Sequence, residues 1–264
     1  METRFLLNSF KEAWEMLLNL PYPFTPQDDI GEETDDNDLL LLNFPVIGAV
    51  IGAAALFSAY LITLLFPGRL VSAIFSAVVI TLGTELIINN SNLSMLLIYL
   101  TGKISRLSDY ELSLRLGTQL SLSAPLSAMS FFSLYLIKLS TVALLVYYGN
   151  AAWLIIVYTL AFLIRSQIAQ VVEFDSDIPV IEADTENGSV RNPWIAAGII
   201  SLLAGLSCSL PAAVLSLPAA FALSALFRKY AVKNGGISAE LVGVYGSASE
   251  LILLLLGASI LIRI

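Results

Sequence analysis

The sequence predicts an all-α fold: a polytopic membrane bundle of about seven transmembrane helices, preceded by an amphipathic helix at the membrane interface. Three observations carry this. Of 264 residues, 57% are hydrophobic and only 13% charged, against roughly 45–50% and about 25% in soluble domains, so much of the surface must face lipid. The apolar residues fall into runs near the length of about 20 residues that crosses the hydrocarbon core as a helix. Lysine and arginine collect in alternate loops, the pattern that orients membrane helices.

The elements follow in chain order. "METRFLLNSFKEAWEMLLNL" puts Phe10, Trp14, Leu17 and Leu18 on one helical face and Lys11, Glu12 and Glu15 elsewhere, which reads as a helix lying in the interface. It lacks the continuous apolar core of a signal peptide. With the acidic run "QDDIGEETDDND" it makes a first unit, residues 1–43, and residues 44–264 make the transmembrane domain. Candidate spans are Phe44–Phe66, Leu70–Asn89, Leu122–Tyr148, Ala151–Leu163, Trp194–Cys208, Pro211–Phe227 and Ala239–Ile264. The piece "LSMLLIYL" after Asn92 extends the second span or forms a re-entrant segment.

Seven spans place ten lysines and arginines on the side of the N-terminus and the long loops, against Arg69 and Arg263 opposite, with Lys138 inside a span. That asymmetry makes the N-terminus and long loops cytoplasmic, in an inner (cytoplasmic) membrane. A site for a cytosolic, phosphate-bearing metabolite is expected on that side, where most charged groups gather.

Composition also excludes chemistry. The single cysteine, Cys208, rules out a disulfide framework, and the absence of histidine rules out a serine–histidine–aspartate triad and an ordinary zinc site. A net charge of −8, carried largely by "QDDIGEETDDND" and "EFDSDIPVIEADTE", does not suit nucleic-acid binding. What remains is carboxylates, amides, hydroxyls and a bound hard cation.

Glu85, Lys138 and Glu250 fall inside predicted spans, where an ionised side chain costs about 3 kcal/mol. Such intruders are functional candidates; alternatively, Lys138 pairs with one of the glutamates to satisfy the bundle. Near the C-terminus, Ser238 is a reasonable N-cap, Gly235 and Gly236 form the entry, and Glu240 lies in the first turn. Glu250 is then about 15 Å deeper. Gly243, Gly246 and Ser247 make a small-residue face for close helix approach.

Four stretches resemble the cobalamin synthase family, the adenosylcobinamide-GDP ribazoletransferases: "FKEAWEMLLNLPYPF", "FPVIGAVIGAAALF", "LAFLIRSQIA" with its embedded Arg165, and "RKYAVKNGGISAELVGVYGSASELILLL". The last is similar to that family's glycine-glycine-x-threonine-glycine-aspartate signature, with Ser238, Ala239 and Glu240 in place of its final three residues. Where the family carries an aspartate-rich run after the second span, this chain reads "LGTELIINNSNLSMLLIYLTG".

The resemblance implies a membrane transferase that joins adenosylcobinamide-GDP to α-ribazole, giving adenosylcobalamin and GMP by Mg²⁺-assisted phosphoryl transfer. It further implies Glu240 and Arg165 as catalytic residues, and Lys233, Gly235, Gly236 and Ser238 against the substrate. Glu85, Asn89, Asn92 and Glu240 are the implied magnesium ligands, although an asparagine supplies oxygen without the charge a dication favours. Membrane lipid and other corrinoid-assembly enzymes are the implied partners. Two alternatives stand beside this: a non-catalytic member acting as a scaffold or corrinoid-binding protein, and a small-solute transporter whose path Glu85, Lys138 and Glu250 line.

Overall fold

Each of the seven apolar runs forms a helix in the computed structural model, which describes residues 2–23, 37–88, 96, 124–169, 192–233 and 239–262. Those residues make eight helices: α1 (Glu2–Leu17), α2 (Asn37–Leu65), α3 (Arg69–Ile87), α4 (Ala124–Tyr147), α5 (Trp153–Ala169), α6 (Pro193–Gly205), α7 (Leu210–Lys233) and α8 (Ala239–Leu261). No strand occurs among them. The segment "LSMLLIYL" lies, apart from Leu96, outside the described residues.

Local chemistry sets several ends. At the turn from α4 to α5, Gly149 adopts φ 77°, while the amides of Gly149 and Asn150 donate to the carbonyls of Val146 and Leu145 at 3.0 and 2.7 Å. This is a Schellman closure, in which glycine takes the left-handed position at no steric cost. Helix α6 opens on Asn192, whose side chain accepts from the Trp194 amide at 3.0 Å, and Pro193 fills the first helical position, where no amide is needed.

Four helical stretches, Leu40–Leu65, Arg69–Ile87, Leu210–Tyr230 and Val242–Leu261, are long and apolar enough to cross a membrane. Their outward residues include Phe57, Leu64, Leu65, Leu86, Phe221 and Leu226, all exposed. Apolar side chains exposed along helices of this length and hydropathy mark a membrane protein.

Helix α5 is the axis of the bundle. It is only 17 residues long, about 25 Å, and packs against α2, α6, α7 and α8. All but one of its residues are buried. Because protein surrounds it, α5 needs neither the length nor the uniform apolarity that lipid contact demands. It runs beyond the expected Ala151–Leu163 to Ala169: the charge at Arg165 reads in sequence as the edge of the membrane, yet here it is enclosed by neighbouring helices.

Close approach to α5 depends on glycine. A Cβ on Gly48 of α2 would overlap the Tyr158 carbonyl, and one on Gly52 would come within 2.8 Å of the Leu154 carbonyl oxygen. The glycine-x₃-glycine spacing thus lets two backbones touch, the usual way helices associate where apolar burial gives no net drive. Gly48 meets residues 158–162 and Gly52 meets 154–155, so α2 and α5 are antiparallel. Gly52→Leu is expected to lower stability by about 1–3 kcal/mol or more, read as an earlier midpoint of detergent-induced unfolding. Ala54→Leu, on another face of α2, serves as the control.

Helix α1 turns its apolar face onto protein. Ala13, Leu17 and Leu18 are buried in the main core, with Phe10 and Trp14 packed at its edge. Ser9 accepts a 3.0 Å hydrogen bond from Asn43 of α2, and the Asn19 amide donates to the Ile87 carbonyl at 2.7 Å. The face assigned to the interface in sequence is therefore partly consumed in closing the end of α3.

Candidate functional site

Three charged side chains from three helices meet inside the bundle. Thr84 and Glu85 stand in the last turn of α3, Lys138 lies within α4, and Glu250 lies midway along α8. Lys138 Nζ is 2.8 Å from Glu85 Oε1 and 2.8 Å from Glu250 Oε1, and it donates to Thr84 Oγ1 at 3.1 Å. Thr84 directs its own proton to the Thr81 carbonyl at 3.1 Å, which frees its lone pairs to receive the ammonium.

Lys138 is only 1% exposed and Glu250 3%. At that depth each charge alone would be expensive; together they offset much of their desolvation. The two carboxylate contacts differ. Glu85 receives an aligned hydrogen bond, whereas Glu250 Oε1 lies at the same 2.8 Å in a less favourable alignment. The ammonium is aimed at α3 and held electrostatically by α8.

The α5–α8 seam brings further polar groups to this level. Trp153 donates its indole proton to the Leu253 carbonyl at 3.0 Å, a Cβ on Gly257 would overlap that indole, and a Cβ on Gly246 would overlap the Arg165 side chain. These contacts set an antiparallel register in which Tyr158 faces Glu250. Its hydroxyl lies beside Thr84 and Glu250, fully buried and without an aligned partner. Arg165 is 3% exposed; its guanidinium sits over the Phe162 ring at 4.8 Å, and its Nε makes no hydrogen bond.

The residues singled out by sequence separate into two levels. Glu85 joins Lys138 and Glu250. Glu240 occupies the first turn of α8, ten residues or about 15 Å from Glu250 along the axis. The side chains of Glu240 and Lys233 lie outside the described residues, as do Asn89, Asn92, Gly235, Gly236 and Ser238. Helix α8 begins at Ala239, directly after Ser238. Arg165, expected as a cation at the end of a span, is inside the bundle; the helix continues a further turn and protein shields the charge.

Lys138 takes one oxygen of the Glu85 carboxylate, and among the described residues no three of histidine, cysteine, aspartate and glutamate gather to hold a metal; the other implied magnesium ligands, Asn89, Asn92 and the Glu240 side chain, lie outside them. Sequence reasoning anticipated that Lys138 would pair with one glutamate; the structure gives it both. Tyr158 and Thr84 went unnoticed, although a tyrosine in an apolar run and a threonine beside an intramembrane glutamate are both polar groups that need partners.

No family model, curated protein or solved structure matches the chain. Fold and site together define a class: an all-helical membrane protein with a buried ion-paired centre.

Proposed function

We propose that the chain is a cobalamin-synthase-like transferase of the inner membrane, with α2 to α8 as seven spans, α1 at the cytoplasmic interface, and the N-terminus and long loops cytoplasmic. The 5′-hydroxyl of α-ribazole attacks the cobinamide-attached phosphorus of adenosylcobinamide-GDP. A new P–O bond forms, the bond to the bridging oxygen breaks, GMP leaves with that electron pair, and the hydroxyl proton is released to water. Such a transfer asks for positioning and charge neutralisation more than covalent help.

One contact supports this reading above the others. Arg165 packs on Gly246 of α8, six residues or about 9 Å along the helix from Glu240. A guanidinium suited to a pyrophosphate therefore belongs to the same end of the bundle as the carboxylate of the C-terminal motif. On this reading Lys233, Gly235, Gly236 and Ser238 contact the substrate, and Mg²⁺ would be held by Glu240 with the amide oxygens of Asn89 and Asn92, where it would neutralise charge on the phosphates. Glu85 is left to Lys138.

The test is turnover in liposomes supplied with adenosylcobinamide-GDP, α-ribazole and Mg²⁺. Cobalamin and GMP should appear, and Glu240→Gln and Arg165→Met should each slow the reaction by about 10²-fold or more. A second reading is favoured by the Glu85–Lys138 contact, which removes a carboxylate from the metal: a non-catalytic member that binds corrinoid as a scaffold. It predicts retention of adenosylcobinamide-GDP without release of GMP.

A further inference from the structure

Glu85 carries a cation in this structure, and that cation is part of the chain. Two carboxylate oxygens from α3 and α8 and a hydroxyl from α3 surround Lys138 Nζ at 2.8, 2.8 and 3.1 Å. The Tyr158 hydroxyl is buried beside Thr84 and Glu250 and adds a further oxygen next to this cluster. Apart from the ammonium, this is a set of hard oxygen donors, the kind that Mg²⁺, Mn²⁺ and Ca²⁺ prefer.

We propose that Lys138 is a resident substitute for a metal: its ammonium holds the place of a divalent cation between Glu85 and Glu250, and removing it converts the centre into a divalent-cation site. Donor type and geometry favour the exchange. Two carboxylates and a threonine hydroxyl already converge on one cation, with the Arg165 guanidinium a second, more distant positive charge felt by both glutamates. Bond lengths to a hard dication run about 2.0–2.6 Å, so from 2.8, 2.8 and 3.1 Å the oxygens need move inward by roughly 0.2–1.1 Å once the lysine stem is gone.

A lysine in this role fixes the helices as a metal would, without dependence on metal supply. The inference does not depend on the transferase reading, because it concerns occupancy of the centre and not turnover.

Mn²⁺ alone is the probe. Titration of detergent-purified Lys138→Ala, followed by electron paramagnetic resonance, is expected to show one more bound Mn²⁺ per chain than wild type, with the thermal midpoint raised by several degrees. Adding Glu250→Gln to Lys138→Ala should abolish the extra equivalent. Equal Mn²⁺ binding by wild type and Lys138→Ala would overturn the proposal. Wild type provides an independent check that needs no substitution: its unfolding midpoint should be unchanged by a chelator. A chelator-sensitive midpoint that becomes insensitive in Glu250→Gln would show a metal at the centre despite Lys138, and would equally overturn it.

Discussion

Lys138→Met is expected to be the most damaging single substitution among the buried polar residues, lowering stability by about 3–5 kcal/mol. The reason is an asymmetry in what each change leaves behind. Without the ammonium, Glu85 and Glu250 are two carboxylates close together inside the bundle that have lost the positive charge lying 2.8 Å from each. Glu250→Gln leaves Lys138 with Glu85 and Thr84, an ion pair and a further hydrogen bond, so its cost should be markedly smaller. Unfolding of the purified variants in mixed micelles gives the order directly: wild type, then Glu250→Gln, then Lys138→Met.

Trp153→Ala should cost a comparable amount, about 3–5 kcal/mol. The indole is fully buried between α5 and α8, in space left by the missing side chain of Gly257, and truncation leaves a cavity that a helix already packed on four sides cannot close. Trp153→Phe separates the two contributions. It keeps most of the ring and forfeits the 3.0 Å bond to the Leu253 carbonyl, which also accepts within its own helix, so the loss should be about 1–2 kcal/mol. Trp14 and Trp194 are only partly buried, so loss of the most shielded indole should also shift the mean tryptophan emission to longer wavelength.

How much of this was legible in the sequence depends on the physics each feature obeys. Helices announce themselves by apolar length, and all seven runs appear as helices, with Ala239–Leu261 close to the expected Ala239–Ile264. Ends were harder to read where a charge sits inside protein instead of at a lipid boundary: Arg165 suggested a stop that α5 does not make. The small-residue face of α8 was readable as spacing, but that Gly246 makes room for an arginine was not, since spacing names a face and not its neighbour.

The buried centre shows the same division. Sequence alone identified Glu85, Lys138 and Glu250 as groups that lipid would not tolerate unpaired. It could not bring α3, α4 and α8 to one point, because residues 85, 138 and 250 are joined only by tertiary packing. The family resemblance set Glu85 beside Glu240 around a metal; in the folded chain Lys138 lies 2.8 Å from Glu85, and the Glu240 side chain lies outside the described residues.

Lys138 serves two carboxylates at once, and a double-mutant cycle between Lys138→Met and Glu250→Gln measures that most directly. Contact through the ammonium predicts strong coupling of about 1–3 kcal/mol, with the double variant more stable than the sum of the single losses, because removing one carboxylate relieves the repulsion that Lys138→Met creates. Losses that simply add would contradict it, placing Lys138 and Glu250 in separate environments.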